Sequence, residues 1–108
     1  MITYDDFVKI EIKMGKVISA EKVPDTDKLL KLEVDFNEEK NRTIVSGIAH
    51  AVTPEEIIGQ TLPFVVNLEP RTIKGIESQG MIMVAVDKDD LPVLLTPKKD
   101  IEPGSVVR

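Results

Sequence analysis

The strongest constraint on the fold of this chain is the strict alternation of apolar and charged residues from Leu30 to Phe36. Every second residue is apolar and every residue between is charged, in the order Leu-Lys-Leu-Glu-Val-Asp-Phe. Successive side chains of a β-strand point to opposite faces, whereas an α-helix repeats about every 3.6 residues. The segment therefore predicts a strand with one face in a core and the other in solvent.

Apolar residues also alternate before this strand, which predicts a long first strand. The pattern runs from Ile10 to Met14 and resumes after Gly15 as far as Val23. A glycine that interrupts a strand pattern is typical of a β-bulge, so we expect a bulge at Gly15. Because strands must coil to close a small barrel, a bent first strand favours a barrel.

Four further segments complete the order of elements. Thr43–Val45 predicts a third strand, and Thr53–Glu56 predicts a short helix, with an N-cap, a proline at the first helical position and a capping-box glutamate. Leu62–Val66 predicts the fourth strand. Met81–Val86 predicts the fifth, and its uniformly apolar sequence predicts cover on both faces. Three strands, a short helix and two strands form the order of an OB-fold, so we predict an all-β, five-stranded OB-fold barrel.

Apolar segments at both ends of the chain exceed what a five-stranded barrel needs. Tyr4–Val8 predicts a helical turn, and Pro92–Leu95 and Ser105–Val107 predict short strands. Exposed strand edges and apolar segments are usually paired or covered. We therefore expect a core at about 10–86 and a C-terminal extension, 87–108, that joins the helical turn in a two-fold dimer contact.

The composition predicts a single domain, 1–108, and excludes several classes of protein. The chain has no cysteine and no apolar run near the roughly 20 residues that cross a membrane. Early acidic residues are unlike a signal peptide, so we expect a cytoplasmic protein without a membrane partner. His50 is the only histidine, and no phosphate-binding glycine loop, nucleophile elbow or triad pattern is present. We expect no metal, no cofactor and no catalytic activity.

The connection between the fourth and fifth predicted strands is the most chemically specific part of the sequence. It holds two cations, two side-chain amides, hydroxyl groups and two glycines where a short turn would suffice. Long loops in compact domains are functional or disordered, and these polar groups favour a function. At the rim of a small β-barrel, such a loop can hold a nucleic acid. Its cations, Arg71 and Lys74, either bind phosphates or form ion pairs with Glu69 or Glu77.

Four more residues of this connection are candidate RNA contacts. Ser78 and Gln79 can hydrogen-bond a phosphate, a ribose hydroxyl or a base edge, or they cap the amides of the loop itself. Asn67 is expected to bridge the base of the loop. Met81 either offers a soft apolar surface to a base or enters the core.

Three further candidate cations lie on the second and third predicted strands, which with their loops form the binding face of OB-folds. Lys28 and Lys31 lie at the start of the second strand, and Arg42 opens the third. Each can equally be a solvated surface cation. The net charge of −5 argues against strong non-specific phosphate binding, so we expect modest affinity and selection by shape.

The aromatic content bears on the kind of nucleic acid. The chain has four aromatic residues, and all four fit core or interface positions: Tyr4, Phe7, Phe36 and Phe64. Proteins that bind flexible single strands need exposed rings on which bases stack. The sequence therefore favours the backbone and corner of a folded RNA over a flexible strand.

Several ordered motifs make nearly the whole chain resemble the tRNA-binding domain family, whose members occur free-standing and appended to methionyl-tRNA synthetase. The motifs lie at Asp6–Phe7, Glu11–Lys16, Pro24–Leu29, Thr43–Ile48 and Asn67–Met81. Within the family, the chain is most similar to the separate β subunit or the C-terminal domain of that synthetase. Two positions of the first turn depart from the family pattern, since Val23 and Thr26 replace a histidine and an alanine that many members carry.

The resemblance implies a homodimer that binds tRNA by its folded shape and partners the catalytic subunit of methionyl-tRNA synthetase, raising its affinity for tRNA. The resemblance supports Lys28 as a tRNA-binding residue more strongly than it supports Lys31 or Arg42. An alternative from another class is a homodimeric export-related protein chaperone with the same barrel. That alternative predicts an apolar groove, and the acidic net charge suits it better. The segment Lys28–Leu32, together with Arg71 and Lys74, favours RNA. A third is a purely architectural dimerisation module, which an uncharged loop would have supported.

Overall fold

A computed structural model describes all 108 residues as a β-barrel with two short helices. The helices are α1 (Tyr4–Phe7) and α2 (Pro54–Ile57). The strands are β1 (Ile12–Lys22), β2 (Leu30–Asp35), β3 (Arg42–Ser46), β4 (Thr61–Val65), β5 (Arg71–Ile73), β6 (Ile76–Ser78), β7 (Met81–Ile82), β8 (Val84–Val86), β9 (Pro92–Leu94) and β10 (Val106–Val107). Neither helix has the length and apolar composition needed to span a membrane.

Five antiparallel strands form the barrel, in the order β3-β2-β1-β4-β7. The strand β10 returns from the C-terminal extension to pair with the start of β1. Two antiparallel ribbons project from the barrel, β5 with β6 and β8 with β9. The predicted all-β OB-fold barrel, with a short helix between its third and fourth strands, is confirmed.

The alternating segment forms β2, and its apolar residues lie in the core. Leu30, Leu32 and Val34 are completely buried, whereas the charged residues between them are half-buried on the outer face. Phe36 continues the inner face and meets the Phe64 ring edge to face, with centroids 5.4 Å apart. Both rings are buried in the core, as predicted, and cannot stack on a base.

The bulge in β1 is not where the glycine predicted it. The register against β2 shifts between Val17 and Ser19, so Ile18 is the extra residue. Gly15 instead allows a close approach, because a Cβ there would lie 2.5 Å from Phe36 Cε1 and from Val34 Cγ1. The glycine therefore leaves room for core side chains, and the bulge lies three residues further along the strand.

The predicted fifth strand is divided into two elements. Its first half, β7, pairs with β4, and its second half, β8, leaves the barrel to pair with β9. The expected cover on both faces is wrong within the single chain, since Met81 and Val86 are 50% and 61% exposed. The reason is that an apolar run indicates that its side chains favour burial, but it does not identify the element that covers them.

Candidate nucleic-acid interface

The polar connection folds into a tight β-hairpin. Ile73 pairs with Ile76, which leaves Lys74 and Gly75 as a two-residue turn with φ values of 51° and 78°. Two positive φ values are the pattern of a type I′ turn, whose twist matches that of the paired strands. The other non-glycine residues of the chain with positive φ are Asp or Asn, which tolerate the left-handed backbone conformation better than lysine does. A lysine there costs about 1 kcal/mol or more, and such strain clusters at functional sites.

Ser78 and Gln79 close the seam of the barrel between the hairpin and β3. Ser78 is 4% exposed, and its Oγ accepts a hydrogen bond from the Val45 amide at 2.9 Å. The Gln79 amide donates to the Thr43 carbonyl at 2.8 Å, and Gln79 Oε1 accepts from the Thr43 amide at 3.0 Å. These side chains therefore cap main-chain amides of β3 and not the amides of the loop itself. Only the Nε2 group of Gln79 has no partner in the chain.

Arg42 clamps both ends of the connection to the start of β3. Its Nη1 donates to the carbonyl of Val66 at 2.7 Å and to that of Gln79 at 3.1 Å. Its Nε and Nη2 donate to the two carboxylate oxygens of Glu38 at 2.9 and 2.8 Å. The guanidinium also lies 5.5 Å from the centroid of Phe36, within range of a cation–π contact. Every nitrogen of Arg42 is therefore engaged within the fold.

The Arg42–Glu38 pair predicts a loss of stability in acid. The hydrogen bond from Arg42 holds the pKa of Glu38 below its ordinary value of 4.5. The pKa of Glu38 is thus lower in the folded state than in the unfolded state. The pair therefore contributes its full stabilisation of the fold at pH values above the unfolded-state pKa, and this contribution is lost as the pH falls through the folded-state pKa. We expect Glu38→Gln to be less stable than the wild type at pH 7 and to approach it below about pH 4.

The measurement for that pair is the free energy of unfolding in urea at several pH values between 7 and 3. Glu39→Gln is the matched control, since Glu39 is the exposed neighbouring glutamate and has no ion pair. A Glu38→Gln difference that stays constant across the pH range would contradict the prediction.

Asn67 ties the connection to the segment that follows α1. Its Oδ1 accepts from the Glu11 amide at 2.9 Å, and its Nδ2 donates to the Lys9 carbonyl at 2.7 Å. Asn67 is thus a structural bridge, but it joins the connection to the N-terminal segment and does not span the base of the loop as expected. The base of the hairpin is thus fixed from two sides, by Asn67 and by Arg42.

A small notch lies between the hairpin and β3, with a volume of about 80 Å³. Three of the candidate residues line it together, namely Arg71, Ser78 and Met81. The sequence did not single out its apolar lining residues, which are Val45, Leu68 and Ile73. Leu68 carried a signal that could have found it, since it is apolar within a polar connection and is 49% exposed. The notch offers an apolar floor beside an arginine and a glutamate, Glu69.

The remaining candidates lie apart from the notch. Lys31 is directly opposite Val45 in the β2–β3 register, but its ammonium lies 3.8 Å from a carboxylate oxygen of Glu21. Glu33, on the same outer face, accepts a hydrogen bond from the Thr43 hydroxyl at 2.8 Å. This face therefore carries charges of both signs, and Lys31 is already paired with a carboxylate.

Three of the candidate cations have no ion pair. Lys28, Arg71 and Lys74 are exposed, and none has a carboxylate within 4.0 Å. The Lys28 carbonyl accepts from the Ala49 amide just beyond β3, at the barrel end towards which the hairpin extends. The suggested pairing of Arg71 and Lys74 with nearby glutamates is not formed, which leaves both cations available to an anion. No group of His, Asp or Glu side chains is arranged to hold a metal ion.

The sequence of the chain matches a known protein family and known proteins. The family model described as "Putative tRNA binding domain" matches residues 12–106. The chain is 48% identical over 107 residues to the methionine--tRNA ligase of Parabacteroides distasonis, and the match covers 99% of the chain and 16% of the ligase. The chain therefore spans about a sixth of the length of that relative.

Solved structures resemble the chain over its full length. The methionyl-tRNA-synthetase-related protein from Pyrococcus horikoshii is 43% identical, with a TM-score of 0.93 over 100% of this chain and 98% of that one. The chaperone CsaA from Bacillus anthracis is 29% identical, with a TM-score of 0.89 over 100% and 99% of the two chains. The match to the family model extends over nearly the whole barrel and its extension, and the chain accordingly belongs to the tRNA-binding domain family.

Proposed function

We propose that this chain is a non-catalytic domain or subunit that binds tRNA for a methionyl-tRNA synthetase, in the cytoplasm, and raises the affinity of the synthetase for tRNA. The observation that carries the proposal is the pair of unpaired cations on the hairpin, Arg71 and Lys74, beside the apolar notch. An additional weak contact on a tethered domain raises the effective concentration of the RNA at the catalytic site.

In this proposal the candidate residues divide into contacts and supports. Arg71 and Lys74 bind phosphates, and Lys28 adds a third cation at the same end of the barrel. Met81, with Leu68, offers an exposed apolar surface to a ribose or base. The Gln79 Nε2 group can donate a hydrogen bond to the RNA. Lys31 contacts the RNA only if a phosphate displaces the Glu21 carboxylate from its ammonium group.

The supports are the residues whose polar groups the fold already uses. Arg42, Asn67 and Ser78 hold the base of the hairpin through hydrogen bonds to main-chain groups. Removing them would change the position of Arg71 and Lys74, and would thus weaken RNA binding indirectly.

The test of this function is a gel-shift titration of the chain against tRNA and against duplex RNA of similar length, at two salt concentrations. We expect preferential retention of tRNA with a shallow salt dependence, because this end of the barrel contributes only Lys28, Arg71 and Lys74 as phosphate contacts. Equal retention of both RNAs would exclude shape recognition. Retention of neither would exclude RNA binding.

We also expect the chain to form a homodimer through its exposed apolar ends. Tyr4, Ile10 and Val106 are 75%, 46% and 59% exposed and border an apolar groove of about 330 Å³. A second copy that covers this groove would remove the apolar surface from water. Ile10→Asp should raise the dimer dissociation constant by about tenfold or more, because it would bury a charge.

Sedimentation tests the dimer against the monomer mass of 12.0 kDa. Ile58→Asp is the matched control, since Ile58 is 45% exposed but lies outside the groove. A wild-type species of 12.0 kDa at micromolar concentration, or equal dissociation by both substitutions, would refute this interface.

A second candidate function is the binding of unfolded polypeptides, which the likeness to the chaperone CsaA favours. The apolar groove at the chain ends would then hold an extended peptide in place of a second copy. This function predicts that the chain prevents aggregation of an unfolded protein and that Ile10→Asp abolishes the effect. Retention of tRNA without such protection would exclude it.

A further inference from the structure

The largest concave surface of the molecule lies under the C-terminal extension, away from the hairpin. This cleft has a volume of about 630 Å³. Lys16 of β1 and Thr61 of β4 form one side, and residues 96–103 of the extension form the other. Lys16 and Thr61 are paired across the two strands, so the cleft adjoins the first residue of β4. The hairpin follows the other end of β4, roughly 15 Å away along the strand.

The chemistry of this cleft is polar and cationic. Lys16, Lys98 and Lys99 line it, all three are exposed, and none has a carboxylate within 4.0 Å. Asp100 and Glu102 also line it, so the lysines exceed the acids by one. That local excess contrasts with the net charge of −5 for the whole chain.

The polar lining selects among possible occupants. Ile101 is the only hydrophobic residue of the lining, whereas a protein–protein interface needs an apolar centre. Hydroxyl and amide groups accompany the lysines, from Thr61, Thr96 and Gln60. Cations interspersed with hydroxyl and amide donors are what proteins use to bind the sugar–phosphate backbone of nucleic acids.

We propose that this cleft is a second RNA-backbone site, in which Lys16, Lys98 and Lys99 bind phosphates of the same tRNA that the hairpin holds. The inference rests on the proposed tRNA-binding function and extends it. Two cationic sites at opposite ends of β4 would contact a folded RNA at two separated points. A flexible strand loses more conformational entropy than a folded RNA when it is held at both points, so the second site would favour RNA of fixed shape.

Site-specific crosslinking tests the contact directly, because the chain has no cysteine of its own. Lys98→Cys and Lys88→Cys each introduce one exposed thiol in the extension, the first in the cleft and the second outside it. Both variants are labelled with a photoactivatable maleimide and irradiated with tRNA. We expect crosslinking from position 98 to exceed that from position 88 several-fold. Equal crosslinking would overturn the proposal.

Charge reversal provides the matching affinity test. Lys99→Glu and Lys88→Glu change the net charge equally, and both side chains are exposed, so the fold should survive in each. We expect Lys99→Glu to weaken tRNA binding about tenfold and Lys88→Glu less than about twofold. Equal weakening would mean that only net charge matters, and the cleft site would be wrong.

The two proposals can fail separately. If the wild type does not retain tRNA, the proposed function fails and the cleft proposal falls with it. If the wild type retains tRNA, and hairpin substitutions weaken the complex while Lys99→Glu behaves like Lys88→Glu, only the cleft proposal is overturned.

Discussion

Replacing Arg42 with alanine is expected to lower the free energy of unfolding by about 3 kcal/mol. The substitution removes hydrogen bonds to two carbonyls, those of Val66 and Gln79, and both bonds to the Glu38 carboxylate. The carbonyls would lose partners at the barrel seam, where water can replace only part of each interaction. Urea unfolding monitored by circular dichroism measures the effect.

Two comparisons separate the clamp from the charge of Arg42. Arg42→Lys keeps the charge but cannot reproduce the fork of donors, so we expect an intermediate loss of stability. Lys40→Ala removes an exposed cation two residues away that has no ion pair, and it should change stability by less than about 0.5 kcal/mol. A loss below about 1 kcal/mol for Arg42→Ala would show that the seam closes without the clamp.

Replacing both hairpin cations, as Arg71→Gln with Lys74→Asn, is expected to weaken tRNA binding about 30- to 100-fold. Each side chain is exposed and unpaired, so each can neutralise one phosphate. The dependence of log affinity on log salt should become shallower by about one for each lost contact. The gel-shift titration at several salt concentrations measures both quantities.

Asparagine is chosen at position 74 because the turn has a φ of 51° there. Asparagine tolerates positive φ better than lysine, so stability should be unchanged or slightly higher while the charge is lost. Lys40→Gln with Lys88→Asn is the control, since it removes the same charge from exposed positions outside the hairpin. An unchanged affinity and salt slope in the hairpin variant would remove the hairpin from the interface.

The local patterns of the sequence predicted most of the elements because each follows from a few neighbouring residues. The alternation from Leu30 to Phe36 fixed the buried face of β2, and Thr53 caps α2 through a bond from the Glu56 amide. The same reasoning was wrong at Gly15, where the missing side chain makes room for residues distant in sequence. A strand pattern shows that a glycine is unusual, but it does not show which neighbour requires it.

The candidate site was predicted less completely than the fold. Arg71 and Lys74 are the exposed, unpaired cations that the sequence suggested. Arg42 and Ser78 belong to the same part of the barrel, but their side chains bond main-chain groups of the chain itself. Those groups lie 24 to 37 residues away in the sequence. Composition cannot distinguish a cation that meets a ligand from one that meets a carbonyl.

By itself, the sequence determined the order of the main elements along the chain, the buried face of β2 and the position of a polar connection after β4, since these depend on local periodicity and turn chemistry. Tertiary structure alone decided that β3 meets the hairpin through the side chains of Ser78, Gln79 and Arg42, and that the extension folds back beside β1 to form a cleft. These contacts join residues far apart in the chain. Their partners exist only once the barrel closes, so no local pattern can encode them.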